Sequence, residues 1–108
     1  MSVVVIVSPT AQRHYVTIDA WWKKRRKSGA KLFAAEVAAA VELLEGDPAA
    51  GVAVPHRRGA HLRRLVLLRS RCLLYYWFGP AEDHVTVVAF WSGSRGRRPP
   101  IHLGEVGR

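Results

Sequence analysis

The sequence predicts an α+β domain of order β-α-α-β-β-β, with a helical hairpin packed on one face of a mainly antiparallel four-stranded sheet. Three observations predict it. An apolar, β-branched run opens the chain. Two stretches of helical periodicity follow, separated only by a short Ser-Gly joint. Three strand-like runs joined by tight turns come last. A length of 108 residues suits one domain with one core, so residues 1–108 are read as a single unit. A hydrophobic fraction of 49% supports a packed core and argues against disorder.

Residues 3–7, all Val or Ile, form a first strand that the pattern predicts to be buried on both faces or nearly so. Ser8-Pro9-Thr10 then reads as a helix entry, with Ser8 or Thr10 as the cap. Ala11, Tyr15, Ile18 and Trp22 fall on one stripe of the first helix, which ends in the five consecutive cations of residues 23–27 and in Ser28-Gly29. Cations suit a helix C-terminus, although five exceed what the dipole needs. They form either a solvated helix end or a polyanion contact. The second helix runs from about residue 30 to 44. Its stripe is Phe33, Val37, Ala40, Val41 and Leu44, and Gly46-Asp47-Pro48 stops it. Residues 48–60 read as a long irregular loop containing His56, Arg57 and Arg58.

The remaining strands are residues 62–68, 72–78 and 84–91, with turns at 69–71 and 79–83. Strict alternation in the last strand puts Val85, Val87, Ala89 and Trp91 on one face and His84, Thr86, Val88 and Phe90 on the other. Both faces are apolar, so the helices are expected to cover one and a partner the other. Residues from about 93 to 108 are expected to leave the sheet as a flexible basic tail.

Lys and Arg total 17 against 8 acidic residues, a formal charge of +9. Such an excess suits a nucleic acid, an acidic protein or an anionic surface, or serves solubility alone. Cys72, the only cysteine, forms no disulfide within the chain and reads as a small buried residue. The five-residue apolar run near the N-terminus is too short for a signal peptide or a membrane span. A cytoplasmic protein with no membrane partner is expected.

No nucleophile elbow and no phosphate-binding glycine loop is present. The histidines (14, 56, 61, 84 and 102) lack metal-ligand spacing, so neither a metal nor a cofactor is expected. Metal-free RNA cleavage needs a base, an acid and cations on the scissile phosphate. Arg63, Arg64, Arg71, Arg95, Arg97 and Arg98 are candidates for polyanion or target binding. His56, His61 and His102 are the candidates for proton transfer, none placed by a recognisable motif, with His61 and His102 the two to test by substitution.

These residues, in this order, resemble the RelE/ParE superfamily of toxins from type II toxin–antitoxin systems. Ser8-Pro9-Thr10-Ala11 resembles that family's entry to its first helix. Leu44, Pro48 and Gly51 resemble the leucine, proline and glycine that follow its second. Leu62-Arg63-Arg64-Leu65 is similar to its arginine-bearing second strand, and Leu74-Tyr75-Tyr76 to the Tyr-Tyr of the third. Residues 85–91 with Gly93, Arg95 and Pro99 resemble the last strand and its Trp-His-Gly-x-Arg exit. The likeness spans roughly residues 3–101. It departs at Ser92, where many relatives carry histidine, and no tyrosine follows Tyr76.

Those departures favour the ParE-like branch. The resemblance then implies a non-enzymatic toxin that poisons DNA gyrase and is neutralised by a cognate antitoxin. The alternatives are a RelE-like, ribosome-dependent mRNA interferase, which would be a metal-free endoribonuclease acting on the ribosome and mRNA, or a basic nucleic-acid-binding module or degenerate toxin. An antitoxin segment over the sheet and hairpin would bury Trp77, Phe90 and Trp91, with acidic residues against Arg63, Arg64 or Arg95.

Overall fold

The structure, a computed structural model, describes residues 2–25, 27–59, 61–79 and 82–106. The expected roles of Arg26 in the cationic run, of Pro80 and Ala81 in a turn, and of the last two residues of the tail lie outside that description. β1 (Val4–Val7) leads into α1 (Pro9–Arg25), a short 3-10 turn and α2 (Leu32–Gly46). β2 (Val52–Ala53), β3 (Leu62–Leu67), β4 (Cys72–Trp77) and β5 (His84–Ser92) follow, and a second 3-10 turn spans Leu103–Glu105.

The sheet has five strands in the order β1-β5-β4-β3-β2, not four. β1 lies parallel to β5, and every other neighbour is antiparallel. The unforeseen strand, β2, is two residues long and exposed, and it pairs with Arg64 and Arg63 of β3. Two residues carry no readable alternation, so the loop hid it. β1 is also an edge strand. Val4 is 64% exposed and the other three residues are half-buried, because β5 pairs with one side only.

Ser8 is the cap of α1. Its Oγ accepts the Ala11 N–H at 3.1 Å, which satisfies one of the free donors of the first turn, and Pro9 occupies the position where a missing N–H costs nothing. α2 buries Phe33, Val37, Ala40 and Leu44 as the periodicity predicts, and Val41 packs beside them. Tyr15 of α1 meets Phe33 and Phe90 at 5.2 and 5.8 Å between ring centroids. Phe33 and Phe90 contact each other edge-on at 5.8 Å. This layer, with Leu74, Tyr76, Val85 and Val87, is the core between helices and sheet.

A bulge changes the expected faces of β5. Tyr75 pairs with Ala89 but Tyr76 pairs with Val87, which leaves Val88 as one extra residue. The phase of alternation therefore slips. Phe90 joins Val85 and Val87 on the helix side, while Val88, Ala89 and Trp91 share the opposite side. That outer side is partly covered by the chain itself. Val54 of the β2–β3 loop and Ile101 and Val106 of the C-terminal segment pack on Leu62, Tyr75, Val88 and Trp91. The tail expected to be flexible is thus laid back over the sheet through Val106.

One side chain pins the loop that makes β2. The Tyr76 hydroxyl donates to the Pro48 carbonyl at 2.8 Å and accepts the Gly51 N–H at 2.8 Å. A Cβ on Gly51 would lie 2.8 Å from both the Arg64 carbonyl oxygen and the Tyr76 ring, so only glycine admits this approach. Arg63 adds bonds to the Gly51 and Ala49 carbonyls at 2.7 and 3.3 Å. At the other end of β3, Glu36 of α2 accepts the N–H groups of Arg69 and Ser70 at 2.9 and 2.7 Å, which ties the β3–β4 turn to the helix.

Tyr76→Phe leaves the buried Gly51 N–H without its acceptor and should cost about 1–3 kcal/mol in urea unfolding. Gly51→Ala should destabilise at least as much. Unchanged unfolding midpoints in both variants would show that the loop does not depend on this clamp.

Candidate functional site

The outer face of the sheet is built of cross-strand rows. Trp91, Leu73 and Val66 form one, Ala89, Tyr75, Arg64 and Val52 the next, and Thr86, Trp77 and Leu62 the third. Directly opposed residues in such a ladder share a face, so Arg64 sits among aromatic and aliphatic neighbours. Arg63, opposite Tyr76, points to the helix side and spends its guanidinium on the Ala49 and Gly51 carbonyls. The two adjacent arginines, both candidates for polyanion or target binding, face opposite sides of the sheet.

The exit of β5 carries a group of three arginines, Arg95, Arg97 and Arg98. The indole N–H of Trp91 donates to the Arg97 carbonyl at 2.9 Å, which bends the chain back over its own ring. The Arg95 guanidinium carbon lies 4.4 Å from that ring's centroid and Arg97's lies 5.6 Å away. Stacking of this kind contributes about 0.5–2 kcal/mol per cation and leaves the guanidinium N–H groups free at the rim. Arg98 donates to the Pro55 carbonyl at 2.9 Å and ties the exit to the β2–β3 loop. Gly93 donates its N–H to the Arg71 carbonyl at 2.8 Å, and Arg71 takes the left-handed backbone, with φ of 57°.

α1 closes the other side of the group. His14 meets Trp91 edge-on at 5.9 Å, and its Nδ1 accepts the Phe90 N–H at 3.3 Å. An Nδ1 that accepts carries no proton, so the ring is held neutral with its hydrogen on Nε2. Burial acts first to lower the His14 pKa below its ordinary value. The charges of Arg13, Arg95 and His102 lower it further, and Glu105 opposes them. Glu105 itself accepts the Thr10 N–H at 3.2 Å and the Thr10 hydroxyl at 3.0 Å, and Arg13 donates to that hydroxyl at 3.0 Å. Partial burial acts to raise the Glu105 pKa. The contacts from Thr10, Ser8 and Arg13 outweigh it and hold the carboxyl below its usual range.

The proton-transfer candidates do not converge. His61 packs edge-on against Trp77 at 5.5 Å, with His56 at 6.3 Å on the same indole. His102 is exposed at the other group, within electrostatic reach of His14. Trp77 and Trp91 are two rows apart on the outer face. Among the described residues, no group of three or more His, Cys, Asp or Glu is placed to hold a metal ion. The three aromatics expected to be buried by an antitoxin lie on two faces of the sheet. Trp91 is 8% exposed and Trp77 half-buried, both on the outer face. Phe90 is 2% exposed on the helix face, where it forms part of the floor of a cleft of about 430 Å³ between α1 and α2, with Tyr15 and Val16. Phe90 and Trp91, adjacent on one strand, face opposite ways in either phase, and the bulge at Val88 decides that Trp91 is the one on the outer face. Sequence reasoning missed His14, Thr10, Arg13 and Glu105. The one signal available was the apolar spacing of Ile101, Leu103 and Val106 around Glu105, which a solvated tail has no use for.

A helical hairpin on a sheet whose last strand runs into a cationic exit is the arrangement implied for small toxins of type II toxin–antitoxin systems. Residues 5–97 match the family model described as ParE toxin of type II toxin-antitoxin system, parDE, and the chain belongs to that family. Among curated proteins, none matches the chain in sequence. Among the described residues, no helix is long and apolar enough to cross a membrane.

The state of His14 has a testable sign. Its folded pKa is below the unfolded value of about 6.5, so below that pH the unfolded chain binds more protons and stability falls. Unfolding free energy should therefore drop as pH is lowered from about 7 to 5.5. His14→Gln, which keeps an acceptor and cannot titrate, should flatten the slope. Glu36 and Glu105, both held below the ordinary carboxylate value, add their own losses only at more acidic pH. A slope unchanged in the variant would assign the proton uptake elsewhere.

Proposed function

We propose that this toxin acts by binding, that its target is DNA gyrase, and that a cognate antitoxin neutralises it. The separation of His61 from His102 is the observation that carries the reading. A metal-free nuclease needs an acid and a base around one scissile phosphate. Here His61 is packed on Trp77, His102 lies at the other group, and Tyr75 and Tyr76 are both buried. Ser92, at the position where relatives carry histidine, bonds its hydroxyl to that of Ser94 at 2.8 Å. The β5 exit instead offers Arg95, Arg97 and Arg98 as a rim of exposed cations, with Arg64 on the sheet and Arg71 at the turn beside it.

For the antitoxin, the cleft between α1 and α2 supplies an apolar seat. Phe90 and Tyr15 form its floor and Val16, 66% exposed, its lip. An apolar segment seated there would cover Val16. Further segments would reach the half-buried Trp77 and the rim of Trp91 on the outer face, with acidic residues against Arg64 or Arg95.

In a purified supercoiling assay, the protein should inhibit gyrase at stoichiometric levels. Arg95→Ala with Arg97→Ala should weaken that inhibition at least tenfold, roughly the loss of one charged contact apiece. His61→Ala and His102→Ala should leave it intact. No inhibition, together with codon-specific cuts in mRNA on translating ribosomes, would replace this reading with the interferase one. Val16→Asp should weaken antitoxin binding while gyrase inhibition persists.

A further inference from the structure

We propose that the exposed end of α1 is a single-stranded nucleic-acid site, in which a base stacks on Trp21 and the surrounding cations hold the neighbouring phosphates. The proposal is independent of the gyrase reading and uses a different surface from the β5 exit.

Residues 20–35 contain six Lys or Arg and no acidic residue. Lys23, Lys24, Arg25, Lys27 and Lys31 are all exposed. Among the described residues only Lys23 of these is paired, to Asp19 at 2.8 Å. The other four form no ion pair among the described residues, and a helix dipole is satisfied by fewer charges than these. Trp21 stands among them, 47% exposed. On a helix, residues three and four apart are neighbours, so Lys24 and Arg25 flank the Trp21 indole and Thr17 lies on its other side. Trp22 turns inward against the core and meets Trp21 edge-on at 5.4 Å and 78°, which braces the exposed ring. An orientated indole framed by unpaired cations is what sequence-tolerant binding of single strands requires. Every base has a π-face to stack, and the charges follow the backbone.

The arrangement does not suit a lipid surface. An interfacial helix turns a whole apolar face outward. Here Ala11, Tyr15, Ile18 and Trp22 face the core, and around Trp21 the outward side carries Thr17 and cations.

The full chain would be titrated into fluorescein-labelled single-stranded DNA and RNA of about 20 nucleotides, and into the DNA duplex, between about 50 and 200 mM salt. Single strands should bind more tightly than duplex, with indole fluorescence quenched and affinity falling as salt rises. Trp21→Ala should weaken binding about tenfold with the salt slope unchanged, and Trp21→Phe should recover most of it. Lys24→Glu with Arg25→Glu should weaken binding at least tenfold, to the order expected for two phosphate contacts, and flatten the slope. The control, Arg57→Glu with Arg58→Glu on the β2–β3 loop, should stay within about twofold. All three sites are exposed, so thermal unfolding should match the parent. Three results would overturn the proposal. One is indifference to Trp21→Ala. Another is equal loss in the loop control. The third is binding to phosphatidylglycerol vesicles with none to either nucleic acid.

Discussion

The phenolic oxygen of Tyr76 ties the inner core of this fold to the chain that builds the far edge of its sheet. It sits in the core between the helices and the sheet, yet its two hydrogen bonds go to the chain that leaves α2. Those bonds bring Gly51 against the ring and lay Val52 and Ala53 beside β3. β2 then leads into Val54, which is 3% exposed and belongs to the outer cluster. One buried hydroxyl thus couples the inner core to the outer one. Its cost of desolvation, which raises the Tyr76 pKa, is met because both its donor and its acceptor capacity are used.

The second constraint is the extra residue at Val88. Without it, Ala89 and Trp91 would lie with Val85 and Val87 under the helices, and Phe90 would face outward. With it, Phe90 completes the aromatic cluster of Tyr15 and Phe33, and Trp91 becomes a platform on the other side. The C-terminal segment returns over that platform. Ile101 and Val106 bury apolar area against it, and Glu105 latches the segment to Thr10 at the start of α1. The cationic exit is therefore held by both ends of the described chain.

Much of this was legible in the residues. The stripes of α1 and α2, and the three closing strands with their turns, follow from periods of 3.6 and 2. The family resemblance rested on the order of short motifs, and the match over residues 5–97 places the chain in the same group. What escaped was set by contacts between distant residues. A two-residue strand has no period, a bulge is invisible to alternation, and the Glu105–Thr10 contact joins positions 95 residues apart. The cationic exit was legible as charge but not as a site. His14, which closes it from α1, falls off that helix's apolar stripe and looks like any solvated residue.

The pairing of β1 with β5 has a consequence for synthesis. Val4 is matched to His84 and Val7 to Val87, so the first strand has no partner until the last strand has been made. The helical hairpin is likewise complete long before Tyr76, Val85, Val87 and Phe90 exist to cover its apolar stripe. A nascent chain must therefore carry exposed hydrophobic surface until β5 has been made, and only then can its sheet close. Contacts of such sequence separation form slowly. That delay gives a neighbouring translation product time to meet the chain before it is fully folded.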